Sequence, residues 1–156
     1  MRVHVCAVGR LKAGPERALI DDYLARYDRT GRALGLGPSS VHEVDERKAS
    51  DMAAEATLLE RAMPDGAFRV VLDERGKLMS SIDFADMLAR WRDDGRGDMA
   101  FVIGGADGLD PGFRAGADQA ISFGKMVWPH MLARVMLSEQ LYRAATILAG
   151  TPYHRA

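Results

Sequence analysis

The sequence predicts an α/β fold, with a mostly parallel β-sheet flanked by helices. Short runs rich in β-branched residues alternate along the chain with longer segments of helical periodicity, and glycine or proline separates many of them. This alternation is typical of parallel sheets, because a helix returns the chain between neighbouring parallel strands. The 156 residues, 47% of them hydrophobic, suit a single domain over 1–156 with a substantial core.

The first half of the chain predicts two strands and two helices. A strand-like run ends at Gly9, and Pro15 suits the first turn of the helix that follows. Ser50 can cap the second helix, and Pro64 with Gly66 stops it. In chain order the predicted elements are a strand at 3–8, a helix at 15–28, a glycine-rich turn region at 31–38, a strand at 40–44 and a helix at 50–63.

The second half predicts three further strands and three helices. Ser80 or Ser81 can cap the first of these helices, and Asp110 followed by Pro111 can begin the second. Gly150 ends the last helix, which is also the longest. The predicted elements are a strand at 67–72, a polar loop at 73–77, a helix at 81–93, a strand at 99–103, a tight loop at 104–108, a short helix at 110–118, a strand at 119–123, a loop at 124–129 and a helix at 130–149.

Charge and hydropathy exclude several classes of protein. The formal net charge is −1, so charge by itself does not indicate a nucleic-acid-binding protein. A basic surface would have to arise from folding or from dimerisation. No apolar run approaches the roughly 20 residues that span a bilayer, and the N-terminal residues do not resemble a secretory signal. We therefore expect a cytoplasmic protein without a membrane anchor.

Metal binding and hydrolysis are also unsupported by any motif. The histidines His4, His42, His130 and His154 are scattered, and no cysteine pair accompanies them. The Gly-x-Ser-x-Gly motif of α/β hydrolases is missing from the sequence. The single cysteine, Cys6, lies in an apolar strand-like run, where a buried and unreactive side chain is expected.

The glycine-rich loop at 104–108 follows a strong strand and precedes the start of a helix. Glycine lets a ligand approach the backbone closely, and α/β proteins bind ligands at the carboxyl edge of the sheet. The spacing of these glycines matches neither a dinucleotide-binding fingerprint nor a P-loop. The loop by itself is equally consistent with a tight turn and with a ligand-binding segment.

Three large apolar residues, Met126, Val127 and Trp128, fall in the loop before the last helix. Such side chains prefer to be covered, which favours packing against a ligand or a partner over simple folding onto the core. The last helix is itself apolar nearly all round. A helix of that kind is buried on more than one side, which suggests a second subunit.

Polar residues near the end of the chain are candidates for substrate binding. Arg143 lies four residues after Glu139 and can pair with it. Arg134 has no partner at that spacing, which makes it the better candidate for contact with substrate or another subunit. The tail then combines an aromatic, a titratable and a cationic side chain at 153–155, a combination that suits base stacking, proton transfer and phosphate binding.

Taken together, these motifs resemble one family, the small bacterial SPOUT methyltransferases that modify large-subunit ribosomal RNA. The resemblance covers essentially the whole chain, with several separate motifs in the right order. The segments that carry it are Val5–Lys12, Phe101–Leu109, Trp128–His130, Arg134–Val135, Glu139–Ala144 and Pro152–Arg155.

The resemblance implies a SPOUT fold with a C-terminal trefoil knot, and a homodimer in which both subunits complete each site. It also implies that S-adenosyl-L-methionine is the cofactor, that three loops at strand ends hold it, and that no metal is needed. The implied cofactor-binding residues are Leu72, Asp73, Gly104, Gly105, Phe123, Gly124, Lys125, Met126, Val127 and Trp128.

The implied reaction is methyl transfer to N3 of a pseudouridine in large-subunit ribosomal RNA. That nitrogen must lose a proton, and His154 is the candidate to assist, through a hydrogen bond or as a base, with Tyr153 and Arg155 beside it in the catalytic tail. Because the chain is slightly acidic, we expect it to recognise the assembled ribosome in preference to free RNA. The residues expected to hold the RNA are His130, Arg134 and Arg143.

Two other functions remain open at this point. The first is a SPOUT methyltransferase acting on another RNA such as tRNA, although the Tyr-His-Arg tail argues against it. The second is a non-enzymatic α/β dimer that binds nucleotide or RNA as a ribosome-associated factor. A protein of that kind would gain no stability from S-adenosyl-L-methionine.

Overall fold

The computed structural model describes residues 1–155, in which strands and helices alternate as predicted. Short 3₁₀ turns at Arg32–Leu34 and Glu46–Lys48 supplement the regular elements. In chain order these elements are β1 (Arg2–Val8), α1 (Pro15–Gly31), β2 (Ser39–Val44), α2 (Met52–Ala62), β3 (Phe68–Leu78), α3 (Ser81–Asp93), β4 (Asp98–Ile103), α4 (Pro111–Ala115), β5 (Gln119–Ser122) and α5 (His130–Ala149).

The strands form a five-stranded sheet in the order β2-β1-β4-β3-β5. All four pairings are parallel, which confirms the predicted α/β class. Parallel pairing brings the carboxyl ends of the strands to one edge of the sheet and the amino ends to the other. The central strands β1 and β4 are buried on both faces, which explains why they appear in the sequence as nearly continuous apolar runs.

Two apolar cores lie on opposite faces of the sheet. Helices α1, α3 and α5 cover one face and contribute side chains such as Tyr27, Phe84 and Leu141. Helices α2 and α4 cover the other face and contribute Leu59 and Phe113. Helix α5 packs against both α1 and α3, so its burial on more than one side, expected from its composition, is confirmed.

Three helices differ from their predicted bounds, and one of them is α4, which ends at Ala115 and not near 118. Helix α1 continues to Gly31, and a Cβ at that position would lie 2.8 Å from the carbonyl oxygen of Leu36, so the chain turns tightly there. Helix α2 is capped by Asp51, whose carboxylate accepts a hydrogen bond from the Ala54 amide at 2.8 Å. Ser50 was the predicted cap, but the carboxylate one residue later meets the free amide and also suits the positive end of the helix.

The polar segment 73–77, predicted as a loop, lies inside β3. Both Leu72 and Lys77 pair with Ile121 of β5. Residues 73–76 therefore bulge out of the strand, and the chain then returns to pair with the same residue of β5. Gly76 allows this excursion, because a Cβ there would lie 2.6 Å from the carbonyl carbon of Ile121. The sequence indicates a break in the strand, while its return to β5 depends on tertiary pairing.

Candidate functional site

Three segments predicted to bind the cofactor meet at the carboxyl edge of neighbouring strands. In β3 and β4, Val71 pairs with Val102, just before the glycine loop. In β3 and β5, Leu72 pairs with Ile121, just before the loop that begins at Phe123. The strand order β4-β3-β5 therefore brings these distant parts of the sequence to one edge, as the predicted site requires.

The glycine loop after β4 is a compact turn. The Gly108 amide donates to the Gly105 carbonyl oxygen at 3.0 Å. A Cβ at Gly104 would lie 2.8 Å from the carbonyl carbon of Gly108 and 3.0 Å from a side-chain carbon of Leu109. Asp110 then caps α4 by accepting from the Phe113 amide at 3.0 Å. Any residue larger than glycine at 104 would force this loop open.

The excursion in β3 is organised by Asp73. Its side chain is only 9% exposed and accepts a hydrogen bond from the Arg75 amide at 2.8 Å. The guanidinium of Arg114, from α4, approaches its second oxygen at 3.4 Å. The carboxylate predicted to bind the cofactor is therefore engaged in holding the loop itself, and it ties β3 to α4.

The loop between β5 and α5 begins with a tight local turn. The Ser122 hydroxyl accepts from the Gly124 amide at 3.1 Å and donates to the Gly124 carbonyl at 3.0 Å. Beyond this turn, Met126 is 74% and Val127 is 84% exposed, and Trp128 is 42% exposed. These exposures agree with the prediction that the three apolar side chains are not buried within a single chain.

A mostly apolar cavity of about 480 Å³ opens beside this loop. Of the residues predicted to bind the cofactor, only Phe123 and Gly124 line it; Leu72, Asp73, Gly104, Gly105 and 125–128 lie outside its lining. The rest of the lining comes from the end of β3 and the two residues after it, from β5 and from three helices. These residues are Leu19, Tyr23, Leu78, Met79, Ser80, Ser81, Phe84, Ile121, Ser122, Val135, Met136, Glu139 and Gln140.

The C-terminal tail folds back onto α5 around one carboxylate. Oε1 of Glu139 accepts from the Tyr153 hydroxyl at 2.9 Å and from Nη2 of Arg143 at 2.7 Å. The Arg143 guanidinium also lies 4.8 Å from the centre of the Tyr153 ring. The predicted pair of Glu139 and Arg143 is confirmed, and it does more than pair, because it anchors the tail.

These contacts define which atoms of His154 and Tyr153 can donate a hydrogen bond. Arg143 Nη1 lies 3.2 Å from Nδ1 of His154. A guanidinium can only donate, so Nδ1 accepts and the proton of the neutral imidazole is on Nε2. Burial, with the adjacent Glu139 carboxylate, raises the pKa of Tyr153 above its ordinary range. Tyr153 is therefore a hydrogen-bond donor at neutral pH, and Arg155 beyond it is exposed.

Arg134 lies in a position that does not fit the RNA contact predicted for it. Its side chain is 2% exposed; Nη1 donates to Oε2 of Glu43 at 2.7 Å, and Nη2 donates to the Gly9 carbonyl at 3.1 Å. Burial opposes ionisation of Glu43, but the Leu11 amide and Arg134 together lower its pKa. Arg134 lacked a partner at helical spacing because its partner lies 91 residues earlier in the chain.

His130 lies at the start of α5, close to the end of β1. It is partly buried, and a Cβ at Gly9 would come within 3.4 Å of its ring. Its Nδ1 atom is buried without a hydrogen-bond partner among residues 1–155. A buried polar atom without a partner is costly, so this nitrogen is a candidate for contact with a substrate or a second subunit.

The prediction that Cys6 is buried and unreactive agrees with its position in β1. Cys6 is fully buried, and burial raises the pKa of its thiol to about 12.

Sequence analysis missed one polar cluster, which joins His4, His42, Ser40 and Asp98 at the amino edge of the sheet. Scattered histidines gave no signal for it, because only the register of β2, β1 and β4 brings them together.

Residues 1–155 contain no group of three or more histidine, cysteine, aspartate or glutamate side chains arranged to hold a metal ion. In the same residues, no helix combines the length and the apolarity needed to cross a membrane.

Comparison with known proteins identifies the family. A family model described as "Predicted SPOUT methyltransferase" matches residues 1–154. Proteins named "Ribosomal RNA large subunit methyltransferase H" are similar over 155 residues and 99% of both chains, at 70% identity in Dinoroseobacter shibae and 69% in Ruegeria pomeroyi.

Two solved structures are similar in fold. One is a probable methylase family protein from Haemophilus influenzae, with a TM-score of 0.50 at 12% identity over 99% of this chain and 70% of that one. The other is a probable methyltransferase from Bordetella pertussis, with a TM-score of 0.50 at 17% identity over 92% of this chain and 96% of that one. At such identities these structures support the fold alone, whereas the family model and the curated relatives establish that the chain belongs to the SPOUT methyltransferase family.

Proposed function

We propose that this protein transfers a methyl group from S-adenosyl-L-methionine to N3 of a pseudouridine in large-subunit ribosomal RNA. The relatives at about 70% identity carry a name for ribosomal RNA methylation. The observation that carries the proposal is the position of Glu139, which lines the apolar cavity and also anchors the tail. One residue thereby links the predicted cofactor region with the predicted catalytic groups.

The chemistry of the cavity suits S-adenosyl-L-methionine. Apolar side chains such as Phe123 and Met136 can cover the adenine and ribose, while Ser122 and Gln140 supply polar atoms. The backbone of the glycine loop and of 123–128 can complete the binding site. When bound, the cofactor supplies the activated methyl group, so the protein's task is chiefly to orient the acceptor.

His154 serves in this proposal as a hydrogen-bond donor. Because Arg143 occupies Nδ1, the free position is Nε2–H, which can donate to a carbonyl oxygen next to the reacting nitrogen. Such a bond strengthens as negative charge develops on the pseudouridine when N3 releases its proton to solvent. Arg143 holds the imidazole in position, and Tyr153 anchors the tail beside it through Glu139. The exposed Arg155 is available for phosphate.

We further propose that the active form is a homodimer bound to the assembled ribosome. Met126, Val127, Trp128, Met131 and Leu132 are exposed around the start of α5, and a second protomer would cover such side chains. His130 remains a proposed RNA contact, whereas Arg134 is assigned to stabilising the chain. The formal net charge of −1 favours a structured ribosomal surface over free RNA. Such a substrate implies a cytoplasmic protein.

The direct test uses isotope-labelled S-adenosyl-L-methionine and ribosomes that lack the modification. Label recovered on a pseudouridine after digestion of the large-subunit RNA is the expected result. If the cofactor stabilises the protein but the ribosome stays unlabelled, the substrate is another RNA such as tRNA. If the cofactor gives no rise in thermal stability, the protein is a binding factor rather than an enzyme.

The role of His154 is tested by a pair of substitutions. His154→Ala should lower the rate of methyl transfer by about 100-fold or more, the usual range for a positioned polar catalyst. His154→Gln keeps an N–H donor but cannot accept a proton as a base of similar strength, so it should retain about tenfold more activity than His154→Ala. Equal rates for the two variants would argue against the donor role, and an unchanged rate for His154→Ala would remove His154 from the mechanism.

A further inference from the structure

A polar groove on α1 lies beside the tail and is separate from the apolar cavity. Its volume is about 380 Å³, and it is lined by Asp22, Arg26, Arg29, Thr30 and Tyr142. We call it the α1 groove. Apart from the aromatic ring of Tyr142, its lining consists of charged and hydroxyl side chains, so it suits a charged or strongly polar ligand.

The groove carries one excess positive charge. Arg26 forms an ion pair with Asp22 at 3.1 Å, which neutralises both. Arg29 is exposed and makes no hydrogen bond or ion pair with another side chain among residues 1–155. It lies three residues after Arg26, on the same face of the helix. An anion in the groove would meet the free guanidinium directly.

Tyr142 connects the α1 groove with the catalytic tail. One side of the Tyr142 ring faces the Arg26 guanidinium, 5.8 Å from the ring centre. The Tyr153 ring lies 4.6 Å away, centre to centre. A ligand in the groove would therefore sit within one side chain of the residues proposed to act on the acceptor base.

We propose that the α1 groove binds a backbone phosphate of the RNA strand next to the methylated nucleotide, with Arg29 as its principal contact. The proposal rests on the proposed function and extends it to the path of the RNA. A guanidinium offers several N–H donors in one plane, which match the oxygens of a phosphate. In a chain of net charge −1, a local site of this kind can supply phosphate contact where the overall charge cannot.

A matched control separates phosphate binding from helix stability. Arg29 lies in the last turn of α1, where a cation also stabilises the helix dipole. Arg61 is likewise an exposed arginine in the last turn of its helix, α2, which packs on the opposite face of the sheet. Arg29→Glu and Arg61→Glu therefore change the charge equally and disturb comparable helix ends.

The experiment measures methyl transfer to unmodified ribosomes at several salt concentrations, together with thermal unfolding. Arg29→Glu should raise the KM for ribosomes about fivefold or more while kcat stays within about twofold, and Arg29→Lys should restore most of the loss. The salt dependence of binding should also weaken by about one counterion. Arg61→Glu should leave KM unchanged.

Two outcomes would overturn the proposal, and they are distinguishable. If the unaltered protein methylates ribosomes and the two glutamate variants have the same KM, the α1 groove does not bind RNA and the proposed function stands. If the unaltered protein shows no transfer to ribosomes, the proposed function fails and the α1 groove proposal fails with it.

Discussion

The two edges of the parallel sheet use similar side chains in different ways. At the amino edge, Nε2 of His4 lies 2.8 Å from Asp98, while its Nδ1 lies 3.1 Å from Nε2 of His42 and 3.0 Å from the Ser40 hydroxyl. At the carboxyl edge, Nδ1 of His130 is buried without a partner among residues 1–155. The polar atoms of the amino edge bond one another, whereas the carboxyl edge leaves groups for a ligand.

The geometry of the histidine pair shows how closed the amino edge is. The ring centres of His4 and His42 are 5.3 Å apart, although the two bonded nitrogens are already 3.1 Å apart. These values require the rings to point almost directly at each other, as in an N–H···N hydrogen bond. The Asp98 carboxylate can only accept, so Nε2 of His4 donates to it, and in the neutral ring Nδ1 is then the acceptor. The network thus joins β2, β1 and β4, and it leaves neither ring nitrogen of His4 free for another partner.

This difference indicates where function resides in the molecule. Parallel sheets expose loops at their carboxyl edge, where connections can vary without disturbing strand pairing. Here that edge carries the glycine loop, the Asp73 excursion and the exposed residues 126–128. A histidine at the amino edge is a structural group, whereas His130 and His154 lie on segments that can meet a substrate.

The largest expected effect concerns the ion pair between Glu43 of β2 and the buried Arg134 of α5. Glu43→Ala should lower the free energy of unfolding by about 3 kcal/mol, because it leaves the buried Arg134 guanidinium without its carboxylate. The measurement is denaturant unfolding. The double variant Glu43→Ala, Arg134→Met should recover most of the loss, since removing both charges leaves neither unpaired. A loss below about 1 kcal/mol in the single variant would show that Arg134 finds other solvation.

Much of the fold could be predicted because it depends on local patterns. The buried strands 3–8 and 99–103 are continuous apolar runs, and the helix ending at Gly150 has a strong stop signal. The three loops of the candidate site follow strand ends, so a parallel sheet must bring them to one edge. Neither the order of the strands nor the trefoil knot follows from such patterns, and the knot stays a prediction.

What could not be predicted depends on contacts between distant residues. The partner of Arg134 lies 91 positions away, and Tyr153 reaches Glu139 only because the tail reverses direction after α5. The excursion in β3 looks like an ordinary loop in the sequence, because Gly76 is required by its closeness to β5 rather than by the turn itself. The same limit applies to the amino-edge network.

A smaller effect should distinguish loops that need glycine from those that merely contain it. Gly104→Ala should cost about 2 kcal/mol of stability, since its Cβ would lie 2.8 Å from backbone in the facing arm of the loop. It should also weaken the stabilisation by S-adenosyl-L-methionine. Gly97→Ala is the control, because no atom lies within 4 Å of the added carbon and its φ is not positive. If both variants behave alike, the glycine loop has more room than its geometry implies.

The smallest effect tests whether the amino edge is purely structural. Burial, followed by the neighbouring His4, lowers the pKa of His42 below its ordinary 6.5. The folded chain therefore disfavours the protonated ring, and stability falls as pH drops below about 6.5 and through the lower folded pKa. In His42→Gln the amide can still donate to Nδ1 of His4 but does not titrate.

The stability difference between the unaltered protein and His42→Gln should accordingly be larger near pH 7.5 than near about pH 5.5, as measured by thermal unfolding. Asp98 stays ionised over this range: burial raises its pKa, but hydrogen bonds from His4 and Arg2 outweigh that effect and hold the pKa below its ordinary 3.8. Groups that do titrate in this range are present in both proteins, so their contribution largely cancels in the difference. Methyl transfer at neutral pH should be the same for both proteins, because the hydrogen bonds of His42 go to His4 and Ser40 and not to residues of the candidate site. A difference that is constant or grows in acid would show that His42 takes up a proton without breaking the network. The polar groups of the amino edge would then not be fully occupied by one another, as is also the case at the carboxyl edge.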